Sequence, residues 1–155
     1  MKGRTNIEQM NHNFHNKLEV LRKRNLNLRV LVGDESLFES RKSGMLPLLE
    51  AIGRFGRLKL RGTIVVDKIV GKAAALLLAY FKPKEVYCGT ISHRAEEILC
   101  RYGIVYYAKN VVPEICRPGS VDLCLFEEAV LEVKTPLQGY RRLVLKLFSF
   151  GSYVG

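Results

Sequence analysis

The stretch that decides the fold is 63-TIVVDKIVGKAAALLLAYF-81. It opens with an apolar, β-branched run, Thr63 to Val66, without polar alternation, which predicts a strand covered on both faces. Apolar residues then recur at helical spacing, at Ile69, Ala73, Leu76, Leu77 and Tyr80. Asp67 stands between the two patterns and is predicted to be the N-cap of the helix. The stretch therefore predicts a buried strand followed directly by a helix.

The same stretch carries the most site-like group of residues in the chain. Lys68 and Lys72 are spaced one helical turn apart, next to Asp67. Gly71 and the alanines after it predict a helix that packs closely on the sheet. A carboxylate and two lysines at the junction of a buried strand and a helix predict a site for a polar or anionic ligand.

Before this junction the pattern predicts a helix, a hairpin and a second helix. Residues 7–24 form an amphipathic helix, and the segments Leu28–Val32 and Ser36–Ser40 pair as an antiparallel hairpin. Met45 to Ile52 is predicted to be helical, and Gly53 and Gly56 are predicted to end that helix. The basic residues from 54 to 61 are then interpreted as a solvated link.

After this junction strands and helices alternate. Glu85–Ile91 is predicted to be a strand, Ser92 to be the N-cap of a helix, and Ile104–Ala108 to be a third strand. Short links between them imply parallel strands and right-handed crossovers. Residues 109–122 are predicted to be a loop and 123–132 a helix. Periodicity does not decide between strand and helix for 133–155.

The length of 155 residues fits one domain, 1–155, with a core of about 25–132. The net charge of +10 is concentrated in the flanks, 1–24 and 133–155, which can bind nucleic acid or simply be solvated. The first residues lack the apolar core of a signal peptide and no run is long enough to span a bilayer, so we expect a cytoplasmic protein without a membrane partner.

Four cysteines without a Cys-x-x-Cys pair are interpreted as reduced thiols rather than metal ligands. We therefore expect neither a metal site nor a cofactor. Cys124 would lie in the first turn of the 123–132 helix if Asp122 caps it, where the helix dipole lowers the pKa of a thiol. Beyond Leu28 only Asn110 and Gln138 are amides, a scarcity that is typical of a thermophilic source.

Two phosphate-binding motifs are excluded by spacing. Gly71-Lys72 is not a P-loop, because position 66 is Val and position 73 is Ala where the motif needs Gly and Ser or Thr. Gly33 lacks the further glycines of a dinucleotide-binding fingerprint.

The order of elements resembles the cytidine deaminase-like fold, a three-layer α/β/α sandwich. Four phrases resemble an uncharacterised prokaryotic family, domain of unknown function 1893: VDKIVGKAAA at 66–75, EVYCGTIS at 85–92, YGI at 102–104 and CLFEEAV at 124–130. The resemblance covers about 25–132. It implies an α/β fold whose mixed sheet has an antiparallel N-terminal hairpin and parallel central strands.

The zinc-binding motifs of true deaminases are missing from this sequence. Zinc deaminases carry His- or Cys-Ala-Glu at one crossover helix and Pro-Cys-x-x-Cys at the next. Aligned on predicted helix starts, the first motif falls near Asp67 to Ile69, and the second places Ser92 and Ala95 where thiolates would stand. We therefore expect no tightly held zinc and no zinc-dependent deamination.

The sequence predicts a ligand site at the carboxyl ends of the parallel strands, holding Asp67, Lys68, Ser92 and His93, with Gly71 and Lys72 nearby. A small polar or anionic ligand, nucleotide-like by analogy with the superfamily, would bind there in a regulatory role. One alternative is a metal-free enzyme with Cys124 or Lys68 as nucleophile, and another is nucleic-acid binding through the flanks. A homodimer is one way to cover the apolar stripe of the first helix.

Overall fold

The computed structural model describes the backbone of residues 2–154 and the side chains of 9–149. In chain order the elements are α1 (Lys2–Lys23), β1 (Leu28–Val32), β2 (Glu35–Ser40), α2 (Leu46–Leu60), β3 (Ile64–Val70), α3 (Lys72–Phe81), β4 (Glu85–Ser92), α4 (His93–Arg101), β5 (Val105–Val112), α5 (Leu125–Ala129) and α6 (Pro136–Val154). Within this part of the chain, no helix combines the length and the apolar character needed to cross a bilayer.

The five strands form one mixed sheet in the order β2-β1-β3-β4-β5. Strand β1 is antiparallel to both of its neighbours, whereas β3, β4 and β5 are mutually parallel. The predicted hairpin and the predicted parallel centre of the sheet are therefore confirmed. Their signals were strong because the hairpin connection is short and each parallel pair is separated by a helical segment.

Helices cover both faces of the sheet. On one face α1 packs through Phe14, Leu18 and Leu21 against Val66 and Tyr87. The other face carries α2, α3, α4 and α6 over the larger core. Helix α3 is the centre of that layer, since it contacts α2, α4 and α6 and seven of its residues from Ala73 to Ala79 are buried. The run of small and apolar residues in the deciding stretch thus lies at the middle of the fold.

The predicted junction between β3 and α3 is wrong by several residues. Asp67 lies inside β3, where it is in register with Leu28 on one side and Cys88 on the other, and the strand continues to Val70. The N-cap of α3 is Gly71. The β-branched pair Ile69-Val70 favours extended backbone, and sheet pairing on both sides overrides the capping preference of Asp67. Lys68 and Lys72 are consequently not one helical turn apart.

The predicted stop at Gly53 is wrong, because Gly53 lies inside helix α2. At Gly56 the backbone leaves the helical conformation, with φ +79° and ψ 160°, so a first helical stretch does end there and a second one continues to Leu60. The predicted basic link at 54–61 is therefore wrong for most of its length, since Arg54, Arg57 and Lys59 lie on α2. Burial of Leu60 explains the continuation, because this last turn packs into the main core.

The C-terminal part also differs from the prediction. Strand β5 runs on to Val112, so the predicted loop at 109–122 begins later, and the helix predicted at 123–132 is only five residues long. Cys124 occupies the N-cap position of α5 and makes no capping bond, so it does not lie in the first turn as expected. The undecided segment 133–155 is largely helix α6.

Helix α6 is joined to the core by close contacts with α3. Leu143 is fully buried, the rings of Tyr140 and Tyr80 stack with centroids 4.6 Å apart, and a Cβ built on Gly139 would lie 2.9 Å from the Leu76 side chain. Helices α6 and α3 therefore touch at Gly139, where only glycine fits.

A core of about 25–132 implies that residues 1–24 and 133–155 matter less for the fold. This stays a prediction, and the contacts of α6 with α3 argue against it. Deleting 136–155 would expose Leu76 and remove the buried Leu143, so we expect the free energy of unfolding to fall by about 3 kcal/mol or more. Urea denaturation of the truncated chain measures this. An unchanged midpoint and slope would show that α6 is dispensable.

Candidate functional site

Asp67 is a buried acid in the middle of the sheet. Its side chain is 3% exposed; Oδ1 accepts a 3.4 Å hydrogen bond from the backbone N–H of Ile69, and Oδ2 has no partner among the described residues. Burial raises the pKa of Asp67 to about 8, against the lowering effect of nearby backbone N–H groups. Asp67 is therefore mostly protonated near neutral pH, and it does not cap a helix.

Lys68 points to the opposite face of β3 from Asp67, because successive strand residues alternate between faces. It lines a cleft between α1 and the sheet, together with Gly89 of β4 and Lys109 of β5. The strand register places these three residues side by side, since Asp67, Cys88 and Ala108 are paired one position earlier. Lys68 and Lys109 thus stand two strands apart with a glycine between them.

This cleft, which we call the α1 cleft, has a volume of about 450 Å³. Its walls come from α1, the turn after it and the three parallel strands: Phe14, His15, Leu18, Glu19, Leu21, Arg22, Asn25, Leu26, Lys68, Gly89 and Lys109. Among the described residues, three cations line it against one carboxylate, Glu19, which is already ion-paired with Arg22. The ammonium groups of Lys68 and Lys109 have no hydrogen-bond or ion-pair partner within residues 9–149. The cleft is therefore positive and partly apolar.

Gly89 keeps the floor of the α1 cleft open. A Cβ built on it would lie 2.8 Å from the backbone carbonyl oxygen of Lys68. No side chain fits at this position without moving β3, so the space between Lys68 and Lys109 stays free for a ligand.

The start of α3 is already occupied by a carboxylate of this chain. Both oxygens of Glu127 accept hydrogen bonds of 2.7 Å, one from the backbone N–H of Lys72 and one from that of Ala73. Burial raises the pKa of Glu127, and the two backbone donors partly oppose that rise. A Cβ on Gly71 would lie 2.0 Å from Glu127 Oε1, so glycine is what admits this carboxylate. The carboxylate of Glu127 therefore takes the position at this helix start that an external anion would occupy.

Lys72 turns away from this start. Its Nζ donates a 2.9 Å hydrogen bond to the carbonyl oxygen of Leu131. Ser92 is confirmed as the N-cap of α4, with Oγ accepting from Ala95 N at 3.2 Å, and it is 1% exposed. His93 is exposed, with Nδ1 3.5 Å from Glu96 Oε1. Both therefore serve α4 locally rather than forming a shared pocket with Asp67.

Cys124 lies beside Glu127 and Gly71 in a small cavity of about 40 Å³. That volume has room for a water molecule or two and is far below the few hundred Å³ of ordinary ligand pockets. Cys88 lies in the core, where burial, reinforced by Asp67, raises the pKa of its thiol. The use of Cys124 or Lys68 as a nucleophile stays a prediction.

The residues at the two helix starts do not fit a zinc ion. With α3 beginning at Lys72, the positions comparable to the first deaminase motif are Gly71 to Ala73, and these residues offer no metal-binding side chain. Ser92 and Ala95 are joined to each other by the capping bond. No group of three His, Cys, Asp or Glu suited to a metal occurs in the described part of the chain.

The structure brings together fewer of the expected site residues than the sequence predicted. Lys68 lines the α1 cleft, Lys72 faces another cleft beside α4, and Asp67 is enclosed in the core. Sequence reasoning missed Gly89 and Lys109, whose closeness to Lys68 depends on the pairing register of the strands. It also missed Arg22, which lies on α1, and the contact of Glu127 with the start of α3, which has no local signal. The basic flanks lie on opposite faces of the sheet, α1 on one and α6 on the other.

The fold and its clefts define an α/β protein with a five-stranded mixed sheet and a positive cleft under its first helix. The chain belongs to the family described as TM1506, domain of unknown function (DUF1893), whose model matches residues 16–147. A similar solved structure is that of the DUF1893 family protein TM1506 from Thermotoga maritima, with 32% sequence identity and a TM-score of 0.77. The match covers 85% of this chain and 88% of that chain. No curated protein matches.

The match to the family model extends beyond the 25–132 segment of the sequence resemblance, at both ends. It includes the last part of α1, residues 16–23, with most but not all of the α1 residues that line the cleft, and most of α6. Both helices are therefore part of what defines the family domain.

Proposed function

We propose that this DUF1893 protein binds a small anionic molecule in the α1 cleft, in a binding or regulatory role, on a scaffold of the cytidine deaminase-like type. The observation that carries the proposal is the row formed by Lys68, Gly89 and Lys109 on adjacent parallel strands beneath α1. The element order of helix, hairpin, helix and strand–helix repeats supports the scaffold assignment.

The spacing of the two lysines suits an anionic group. Residues on strands two apart are separated by about 10 Å, and the long side chains of Lys68 and Lys109 can close on a phosphate or carboxylate lying over Gly89. Arg22 of α1 also lines the cleft, but its charge is paired with Glu19. The free positive charge of the cleft therefore comes from the two lysines of the sheet.

The apolar wall indicates what else the ligand carries. Phe14, Leu18 and Leu26 line the same cleft, opposite the charged row. A bare inorganic ion would leave these side chains uncovered, whereas a ligand with an apolar or flat ring portion would cover them. A nucleotide combines both features and is the ligand class that we propose.

The first test is a thermal-shift comparison of adenosine monophosphate, cytidine monophosphate, glucose 6-phosphate and inorganic phosphate, followed by calorimetric titration. We expect a nucleotide to bind more tightly than inorganic phosphate. Replacing Lys68 and Lys109 together by methionine should weaken nucleotide binding by about tenfold or more, because each lysine supplies a charged hydrogen bond.

The matched control replaces Lys59 and Lys84 by methionine, which removes the same charge from exposed positions outside the cleft. We expect this control to bind as the wild type does. If both double variants weaken binding equally, the effect is only one of net charge. If none of the four probes binds to the wild type, the proposal is contradicted.

A further inference from the structure

A second group of cations surrounds a cleft on the opposite face of the sheet. This α4 cleft has a volume of about 380 Å³ and lies between the start of α3, one side of α4 and the segment that joins α5 to α6. Its charged lining consists of Lys72, Arg94, Arg101 and Lys134, with Glu97 and Glu132. Within residues 9–149 it shares no lining residue with the α1 cleft.

The cations of the α4 cleft are crowded and only partly neutralised. Arg94 is ion-paired with Glu114 at 3.2 Å, but the charged groups of Arg101 and Lys134 have no such partner within residues 9–149. Burial lowers the pKa of Lys72, and the nearby charges of Arg94 and Arg101 lower it further, against Glu127 and Glu132. Like charges thus repel one another here, a cost that a bound anion would remove.

The helix geometry brings the donors to one place. Arg94 and Arg101 are two turns apart on α4, so both project from the same side, where Ile98 lies between them. Their guanidinium groups present planar forks of N–H donors that match the oxygens of phosphate. Lys72 is held toward the cleft by its bond to the Leu131 carbonyl and keeps further N–H donors.

We propose that the α4 cleft is a second, separate binding site whose ligand is a phosphate group, either free or carried as a monoester. Apolar lining is limited to Ile98, Leu131 and Val133, so the contacts to the ligand are mainly charged. This site should therefore bind inorganic phosphate at least as well as a nucleotide, the reverse of the order expected for the α1 cleft.

The test is a calorimetric titration of the full chain with inorganic phosphate at low ionic strength, with sodium chloride of equal ionic strength as reference. Replacing Arg101 and Lys134 together by methionine should weaken phosphate binding by about tenfold or more. The matched control removes the same charge at the exposed residues Arg61 and Lys84 and should bind normally.

The Lys68→Met, Lys109→Met variant separates this proposal from the proposed function. It should keep phosphate binding at the α4 cleft while losing nucleotide binding at the α1 cleft. The proposal is overturned if phosphate acts no differently from chloride, if the Arg61 and Lys84 control weakens binding equally, or if phosphate binding disappears with Lys68 and Lys109. If a phosphate monoester such as glycerol 3-phosphate competes with inorganic phosphate, the site accepts a phosphate group that is part of a larger molecule.

Discussion

Replacing Asp67 by asparagine is expected to raise the free energy of unfolding at pH 9 by on the order of 5 kcal/mol. The reason is that β3 holds the acid in the core with Oδ2 unpartnered in the described structure. At pH 9 the wild-type carboxyl must carry a charge there, whereas asparagine is neutral and of the same size. At pH 5 the wild-type group is protonated in the folded state, so the two proteins should differ much less.

The direction of the pH dependence follows from the two pKa values. Asp67 has a folded-state pKa of about 8, above the value of 3.8 that the group has without the fold. Between these values the folded state binds more protons than the unfolded state, so stability falls as the pH rises and the full cost is present above about pH 8. In the Asp67→Asn variant this fall should be absent.

Urea denaturation at a series of pH values from 5 to 9 measures the effect. The matched control is Asp34→Asn in the exposed turn of the β1–β2 hairpin, which should reproduce the wild-type pH profile. If the free energies of unfolding of wild type and Asp67→Asn change in parallel from pH 5 to 9, Asp67 is ionised in the folded state throughout that range. The buried acid would then not be protonated at neutral pH.

Asp67 also shows where sequence reasoning stops. An aspartate between an apolar strand pattern and a helix pattern has the local signature of an N-cap, and that signature gave a wrong helix start. The decisive facts are the pairing of β3 with β1 and β4 and the protonation of a buried acid, and neither is encoded within a few residues. Ser92, by contrast, was predicted correctly because its cap involves only residues 92–95.

The α1 cleft illustrates a second limit. The sequence points to Lys68 through its neighbours Asp67 and Lys72, but it predicts a loop for Lys109. Their proximity depends on strand order and register, which place 68, 89 and 109 side by side. Periodicity predicts that strands exist and are parallel, and it says nothing about which residues of different strands are neighbours.

The other large effect is expected at Gly71, where replacement by alanine should lower the free energy of unfolding by about 3 kcal/mol. Backbone strain is not the cause, because Gly71 has φ −97°, which alanine adopts readily. The cause is the contact of 2.0 Å between an added Cβ and Glu127 Oε1, with Ile115 Cγ1 at 3.0 Å on the other side. Glu127 would have to withdraw and leave the N–H groups of Lys72 and Ala73 without their acceptor.

A double-mutant cycle tests this mechanism. Glu127→Ala alone should cost about 3 kcal/mol, since it removes a cap and leaves two donors at the start of a buried helix unpaired. Once Glu127 is gone, the collision is gone too, so Gly71→Ala in that background should cost at most about 1 kcal/mol. The two substitutions would then be strongly non-additive.

Gly53→Ala is the matched control for the change itself. Gly53 lies in α2 with helical backbone and open space around the position of a Cβ, so the same substitution should stabilise the protein by up to about 1 kcal/mol. Opposite signs at positions 53 and 71 would show that the contact with Glu127, rather than the loss of a glycine, sets the cost. Additive effects of Gly71→Ala and Glu127→Ala would mean instead that the carboxylate does not occupy the start of α3, and that this helix terminus is open to an external anion.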